Sequence, residues 1–310
     1  MGAGLRERVV REVGKIIVNK ERETELLLAA LLARGHVLLE GVPGVSKTLL
    51  TKSFSRCLEL DFRRVQFTPD ILPLDRVGGF IFNMKDREFE FRKGAIFTNI
   101  LLADEINRAP PKVQSALLEA MQEQQVTIEG HTELLPSPHM VIATQNPIEF
   151  QGVYPLPEGQ LDRFMLKVTL GYPSLENEAE VIRRNISGAE VEIHGVLSRS
   201  ELARCLEEVG AVKVSDEVVR YLATLALATR TDARVGLGAS PRAIGQLARC
   251  AKARAYLAGR GYVTPDDIKE LSVESLSHRM RLRQSVEVSG EGVTVASVIR
   301  EIVDGVEPPR

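Results

Sequence analysis

The chain has 310 residues and a formal net charge of −2, and 44% of its residues are hydrophobic. At about 150 residues per domain this length predicts two domains, and the hydrophobic share excludes a disordered chain. The small net charge excludes a chain attracted as a whole to nucleic acid or to an anionic membrane, but it does not exclude a local basic patch. The N-terminus lacks the apolar core of a signal peptide, and no apolar run is long enough to cross a bilayer. We therefore expect a soluble cytoplasmic protein with three buried free thiols, at Cys57, Cys205 and Cys250.

Helix and strand patterns alternate through the first 171 residues. Residues 1–33 predict two helices, and the apolar run 36–41 predicts a buried strand. Helical spacing predicts two more helices, over 48–58 and 110–125. Further strands are predicted at DFRRVQFT (61–68), NILLADEIN (99–107), HMVIATQN (139–146) and RFMLKVTL (163–170). Alternating residues on both sides of a turn predict two hairpins, over 80–93 and 125–136.

The pattern changes near residue 172, after the sequence GYPS. About five helical patterns follow, with few strand signals. One helix start is clear, with Thr264 as the cap, Pro265 in the first position and Asp267 in the first turn. We therefore expect an α/β core with two inserted hairpins in residues 1–171, and a smaller helical domain in residues 172–310.

The segment GVPGVSKT (41–48) has the composition of a phosphate-binding loop. A strand, a Gly-containing loop and a helix start present backbone N–H groups at the positive end of a helix. Lys47 would reach the β- and γ-phosphates of a nucleotide, and the Thr48 hydroxyl would hold Mg²⁺. The expected nucleotide contacts are Gly41, Val42, Pro43, Gly44, Val45, Ser46, Lys47, Thr48 and Leu49. By itself the segment also fits a tight strand-to-helix turn with an exposed lysine.

Ser46 departs from the strict pattern, which has glycine before the lysine. Because the position lies at the start of a helix, we expect a negative φ there. A serine with negative φ meets no steric bar, so the loop is expected to bind ATP.

Two acidic residues end the most apolar strand of the chain. Asp104 could complete the Mg²⁺ shell through water, and Glu105 could polarise the attacking water. Ligands of open parallel sheets bind outside the carboxyl ends of the strands, where both acids are expected. The alternative is a pair of solvated acids, which is common for one such pair but uncommon downstream of a Lys-Thr loop.

Three further polar residues are candidates for the same chemistry. Asn146 could orient the water that Glu105 activates, although Asn-Pro is also a turn former. Arg163 could supply positive charge to a transferring phosphoryl group, unless it forms a surface ion pair with Asp162 or another neighbour. Arg242, at a helix start in the second domain, could touch the γ-phosphate or be a helix-surface arginine.

Four segments together resemble the MoxR group of AAA+ ATPases: GVPGVSKT, LLADEINRAPPKVQSALLEAMQE, ATQNPIEFQGVYPLPEGQLDRF and GASPRA. The resemblance implies an αβα core with a five-stranded parallel sheet, a helical lid and ATP bound between subunits of a ring, usually a hexamer. It makes Lys47 and Thr48 Walker A and Asp104 and Glu105 Walker B. It makes Asn146 sensor 1, Arg163 the arginine finger and Arg242 sensor 2. If Arg163 does not act on the neighbouring subunit, Arg108 is our reserve candidate for that role.

The resemblance implies a Mg²⁺-dependent ATPase that remodels a partner protein or inserts a metal cofactor into it. It also implies a partner in trans that carries a von Willebrand factor A domain, which this chain lacks. A nucleic-acid motor is one alternative, but the hairpin 125–136 has no Lys or Arg. A nucleotide-gated scaffold with little turnover is the other alternative, and only Ser46 favours it.

Overall fold

The computed structural model describes residues 2–42, 44–70, 78–85, 87–128, 130–146, 153–187, 191–288 and 292–309. In chain order, the first part contains α1 (Gly2–Gly14), α2 (Glu21–Leu32), β1 (Val37–Gly41), α3 (Lys47–Cys57), β2 (Phe62–Gln66), β3 (Gly78–Asn83), β4 (Glu88–Lys93), β5 (Ile100–Asp104), a 3₁₀ turn (Ile106–Arg108), α4 (Pro111–Glu123), β6 (Gln125–Ile128), β7 (His131–Leu134), β8 (Met140–Gln145), α5 (Glu158–Leu161) and β9 (Leu166–Leu170).

Five of these strands form one sheet, in the order β2-β5-β8-β1-β9, and every neighbouring pair is parallel. Parallel sheets are covered on both faces, which explains why β5 and β8 are nearly continuous apolar runs. The carboxyl ends of all five strands lie at one edge of the sheet and the amino ends at the opposite edge. The expected α/β class with a five-stranded parallel sheet is confirmed.

Alternate side chains of the sheet enter two different cores. Leu39, Leu102 and Ile142 pack into the core that holds the apolar faces of α1, α2 and α3. Leu38, Leu101 and Val141 pack into the other core, together with the apolar face of α4. The sheet is therefore the middle layer of an αβα sandwich.

The two predicted hairpins form outside the main sheet. β3 pairs with β4, and β6 pairs with β7, in both cases antiparallel. Lys93 of the first hairpin makes a 2.8 Å ion pair with Glu133 of the second, so the two hairpins contact each other. At the outer end of the first hairpin three large apolar side chains are exposed: Phe82, Met84 and Phe89.

Helices dominate the second part, as expected. It contains α6 (Leu175–Ser187), α7 (Arg199–Ala211), α8 (Asp216–Thr231), β10 (Val235–Leu237), α9 (Pro241–Leu257), α10 (Pro265–Leu276), β11 (Arg281–Leu282), α11 (Gln284–Val288) and α12 (Val295–Gly305). The predicted start of α10 is confirmed, because Thr264 and Asp267 form a reciprocal capping box. The short antiparallel pair of β10 and β11 was not predicted, since strands of two or three residues leave no periodic signal.

The second part packs on the first through a continuous apolar cluster. Residues of α7 to α10 and α12 share this cluster with α1, α2 and the sheet. The three cysteines are buried and free, as expected. In the part of the chain that the structure describes, no helix combines the length and the apolarity needed to cross a membrane.

Candidate functional site

The loop between β1 and α3 lies at the carboxyl edge of the sheet. Lys47 is the first residue of α3, and its Nζ donates a 2.6 Å hydrogen bond to the carbonyl oxygen of Gly41. The first N–H groups of a helix have no partner within the helix, so the start of α3 can receive an anion. The backbone at Gly44 has φ +88°, and a Cβ built there would meet no heavy atom within 4 Å, so the loop is open on this side. Pro43 lies outside the described residues.

The expectation of a negative φ at Ser46 is wrong. Its backbone is left-handed, with φ 61° and ψ 25°, and its side chain makes no capping hydrogen bond to α3. The chain must reverse direction between β1 and α3, and two residues with positive φ, Gly44 and Ser46, accomplish this. The glycine of the strict pattern would adopt this conformation freely, whereas the Cβ of serine makes it strained.

Asp104 and Glu105 follow β5 at the same edge, and Thr144 of β8 joins them. The amide of Glu105 donates to Oγ1 of Thr144 at 2.9 Å, and this hydroxyl donates to Oδ1 of Asp104 at 2.6 Å. Thr144 is fully buried and Asp104 is 7% exposed. Glu105 is also left-handed, with φ 57°, a costly conformation that functional sites often retain. The Thr144 hydroxyl therefore holds the Asp104 carboxylate and the backbone at Glu105 in place.

Two arginines pair with these acids. Arg64 of β2 donates from Nε and Nη2 to Oδ2 of Asp104, at 3.0 and 2.6 Å. Nε of Arg108 lies 2.9 Å from Oε2 of Glu105. Arg108 therefore sits at the carboxyl edge beside its own Glu105. Sequence reasoning missed Arg64 and Thr144. The alternation of β8 places Thr144 and Asn146 on one side of the strand, and this was the available signal for Thr144.

Asn146 directly follows β8 and is 6% exposed. Because β8 lies between β5 and β1, Asn146 is at the carboxyl edge, between the strand ends that carry Asp104 and the loop 41–48. The neighbourhood predicted for Lys47, Thr48, Asp104, Glu105 and Asn146 is therefore present in the fold.

Arg163 and Arg242 lie elsewhere, at the amino edge of the sheet. Arg163 precedes β9, and the neighbouring Met165 donates its amide to the carbonyl oxygen of His36, just before β1. Five-residue strands such as β1 span about 13 Å, so the length of the sheet separates Arg163 from Lys47. Arg163 and Arg242 line one cavity of about 250 Å³, together with Arg34 and Arg249.

This arginine cavity, as we name the space lined by Arg34, Arg163, Arg242 and Arg249, has an excess of positive charge. None of the described residues that line it is acidic. Nε and Nη1 of Arg163 are buried and have no hydrogen-bond partner among the described residues. Burial, and then the charge of Arg242, lower the pKa of Arg249. Because an uncompensated buried charge is costly, this cavity is suited to an anion supplied by another molecule.

The oxygen donors at the carboxyl edge suit Mg²⁺, which prefers hydroxyl, carboxylate and phosphate oxygens. Thr48 lies in the first turn of α3, and the Asp104 carboxylate is held at the end of β5. Among the described residues no group of three His, Cys, Asp or Glu could hold a metal ion alone. These two donors therefore fit an ion that is bound together with a phosphate chain.

Comparisons with known proteins agree with this architecture. A family model described as ATPase family associated with various cellular activities (AAA) matches residues 36–166, and an AAA lid domain model matches residues 227–302. The uncharacterized protein YeaC of Bacillus subtilis is 45% identical over 303 residues, covering 97% of this chain and 94% of YeaC. The protein named Chaperone MoxR1 of Mycobacterium tuberculosis is 43% identical, covering 98% of this chain and 82% of MoxR1.

A solved structure from Cytophaga hutchinsonii, of a protein described as a candidate ATPase, is also similar. It superimposes with a TM-score of 0.90 at 42% identity, covering 98% of this chain and 94% of that one. The chain is similar to MoxR1 over nearly its whole length, and the AAA and lid matches and the five-stranded core agree with this similarity. The chain therefore belongs to the MoxR family of AAA+ ATPases.

Proposed function

We propose that this protein binds ATP with Mg²⁺ at the carboxyl edge of its sheet and hydrolyses it with the help of a neighbouring subunit, driving chaperone-like remodelling of a partner protein. One observation carries the proposal. The phosphate-binding loop and the arginine cavity lie at opposite edges of one sheet. One subunit therefore lacks a complete catalytic site, and two subunits in head-to-tail contact would have one.

The loop residues 41–49 would hold the triphosphate. The N–H groups at the start of α3 face the position of an anion, and Lys47 can leave the Gly41 carbonyl to reach the β- and γ-phosphates. Thr48 and Asp104 would hold Mg²⁺, which supplies positive charge to the phosphate oxygens when bound.

The residues after β5 and β8 would carry the chemistry. Glu105 acts as the base that takes a proton from the attacking water, once its carboxylate is released from Arg108. Asn146 holds that water through its amide. Thr144 keeps the Asp104 carboxylate and the backbone of Glu105 in place, because its hydroxyl hydrogen-bonds to both.

Arg163 would act on the nucleotide of the next subunit. Two nitrogens of its guanidinium, Nε and Nη1, lack a hydrogen-bond partner among the described residues, and this side chain can meet the charge that develops on the γ-phosphate, with Arg242 beside it. Head-to-tail association repeats one asymmetric contact, and this contact closes into a ring when its rotation allows. We expect this ring to be a hexamer. We also expect the lid to begin near residue 172.

The first hairpin supports a protein client rather than a nucleic acid. Its outer end presents Phe82, Met84 and Phe89, of which Met84 is 84% exposed. Exposed apolar side chains suit a protein surface, whereas nucleic acid requires clustered positive charge. The relative MoxR1 is named a chaperone. We extend that role to this chain, in the cytoplasm, where it would remodel a client protein or insert a metal cofactor into it, together with a partner that carries a von Willebrand factor A domain.

Mixing two inactive variants tests the proposal. Lys47→Ala removes ATP binding and leaves Arg163 intact, whereas Arg163→Ala retains ATP binding and removes the finger. Each variant should be inactive alone, and mixed assemblies should recover part of the phosphate release, because some contacts pair an intact loop with an intact finger. Formation of mixed assemblies is verified with two affinity tags. Absence of recovery in verified mixed assemblies would refute a role of Arg163 in trans. Absence of phosphate release by the wild type would favour the alternative of a nucleotide-gated scaffold with little turnover.

A further inference from the structure

The turn that carries Arg163 is held by the end of α10 in the second part of the chain. Arg279 follows this helix, and its Nη2 donates to the carbonyl oxygens of Asp162, at 3.2 Å, and Phe164. These two carbonyls flank Arg163 on both sides. Nε of Arg279 also lies 3.3 Å from the Asp162 carboxylate. One guanidinium therefore contacts the backbone before and after Arg163.

A second side chain from the same turn binds the same segment. Nε2 of His278 lies 2.8 Å from the carbonyl oxygen of Phe164, which can only accept, so Nε2 carries the proton. Burial lowers the pKa of His278 well below its ordinary value, so the ring is neutral. The segment 162–164 is also tied to α9, because Oγ of Ser240 donates to Asp162 at 3.1 Å. Ser240 caps the helix whose second residue is Arg242.

Arg279 is unusually buried for a charged residue, since the residue is 6% exposed. Burial lowers the pKa of its guanidinium to about 10, although Asp162 partly offsets this effect. Buried charges persist only when hydrogen bonds and an opposite charge compensate them. The charge of Arg279 is compensated by Asp162, by the carbonyl oxygen of Phe164 and by the side chain of Gln246, which belongs to α9. The residue therefore connects α9, α10 and the turn of Arg163.

We propose that Arg279 is the positioning residue of the arginine cavity: it fixes the backbone around Arg163 so that this side chain meets the nucleotide of the neighbouring subunit. The inference rests on the proposed function of Arg163. It also means that any movement of the second part of the chain is transmitted to Arg163 through the carbonyls of Asp162 and Phe164. A lid movement in one subunit would thereby change hydrolysis in the next.

Arg279→Met tests this role, because methionine fills the space without donating hydrogen bonds. A shift of about 1 Å in a catalytic group can cost about 10²-fold in rate, so we expect kcat to fall by about 10²-fold while KM for ATP stays within about threefold. Arg279→Lys retains the charge but cannot contact both carbonyls in the same planar geometry, and it should recover part of the loss. Arg260→Met is the matched control, because Arg260 pairs with buried Asp267 at the other end of α10. It should lower stability and leave kcat unchanged.

Mixed assemblies give the decisive readout. Arg279→Met has an intact loop and a misplaced finger, so mixing it with Lys47→Ala should restore turnover. Mixing it with Arg163→Ala should restore nothing, because both variants lack the same function. Recovery with Arg163→Ala, or no recovery with Lys47→Ala, would overturn the inference, since Arg279 would then serve its own subunit or only the fold.

Two measurements keep this result separate from the proposed function. If Arg163→Ala mixed with Lys47→Ala fails to recover, the role of Arg163 in trans fails, and the inference fails with it. If that pair recovers and the Arg279→Met pairs do not follow the pattern above, only the inference fails. Should Arg279→Met not fold, Asp162→Asn replaces it. This variant removes only the ion pair at the partly exposed Asp162 and should show the same pairing pattern with a smaller loss.

Discussion

Ser46→Gly should stabilise the protein, because Ser46 occupies the left-handed region with φ 61°. In this region the conformation of a residue with a Cβ costs roughly 1–2 kcal/mol, whereas glycine has no such cost. Glycine loses more backbone entropy on folding, which offsets roughly 0.4–1 kcal/mol of the gain. The net expectation is a gain of about 0.5–1 kcal/mol in the free energy of unfolding. With an unfolding entropy of about 2.1 cal/mol/K per residue, the melting temperature of a chain of this length should rise by about 1 °C.

Two matched variants separate backbone strain from side-chain effects. Ser46→Ala keeps a Cβ in the same conformation and loses no capping hydrogen bond, so its stability should change by less than about 0.5 kcal/mol. Gly44→Ala introduces a Cβ at φ +88° where no heavy atom lies within 4 Å, so only backbone strain of about 1 kcal/mol should destabilise it.

The assay is calorimetric unfolding of the four proteins without nucleotide, because bound ATP would add its own stabilisation. The expected order is Ser46→Gly highest, wild type and Ser46→Ala equal, and Gly44→Ala lowest. A lower melting temperature for Ser46→Gly, or a loss in Ser46→Ala as large as in Gly44→Ala, would refute the strain at Ser46. Affinity for ATP should change by less than about tenfold in both Ser46 variants, or about 1.4 kcal/mol, and a failure of wild type to bind where Ser46→Gly binds would show that serine disables the loop.

Three further outcomes follow from the site and its surroundings. Glu105→Gln should retain ATP affinity and lose turnover by about 10²-fold or more, and normal phosphate release would exclude this carboxylate as the base. Thr144→Val should cost about 1–3 kcal/mol in chemical denaturation and lower turnover, because the buried amide of Glu105 loses its acceptor and Oδ1 of Asp104 loses its donor, whereas Thr144→Ser should keep both properties. Burial lowers the pKa of His36 to about 3, and its Nδ1 accepts a hydrogen bond from the amide of Val141. The folded state therefore holds His36 neutral, whereas the unfolded state binds a proton on it below about pH 6.5. Stability should therefore fall as pH decreases from about 6.5 toward 3, by up to about 1.4 kcal/mol per pH unit, and an unchanged slope in His36→Asn would exclude this source.

The arrangement at the carboxyl edge could be predicted because it depends on strand direction and local spacing. Asp104, Asn146 and the loop 41–48 each follow an apolar run, and the carboxyl ends of parallel strands share one edge. No long-range contact had to be known to bring these residues together. The hairpins and the start of α10 were predictable for the same reason, since alternation, turn residues and the Thr264 cap act within a few residues.

The backbone of Ser46 could not be predicted from its place before a helix. Its φ depends on how sharply the chain turns from β1 into α3, and that angle is decided by the packing of α3 against the sheet. Thr144 was missed because a threonine inside a strand is ordinary, and its role appears only when β8 pairs with β5.

The sequence by itself determined an α/β core followed by a helical part and the order of the motifs, because these follow from periodicity and from side-chain type at short spacing, whereas the αβα layering and the five-stranded sheet were implied by the resemblance to the MoxR group. Only the tertiary structure decided that Arg163 and Arg242 lie at the opposite edge, that they share one cavity with Arg34 and Arg249, and that Arg279 holds the turn between Asp162 and Phe164. The physical reason is distance along the chain. Arg279 and Phe164 are 115 residues apart, and no local pattern records which distant carbonyl a buried guanidinium must find to be compensated.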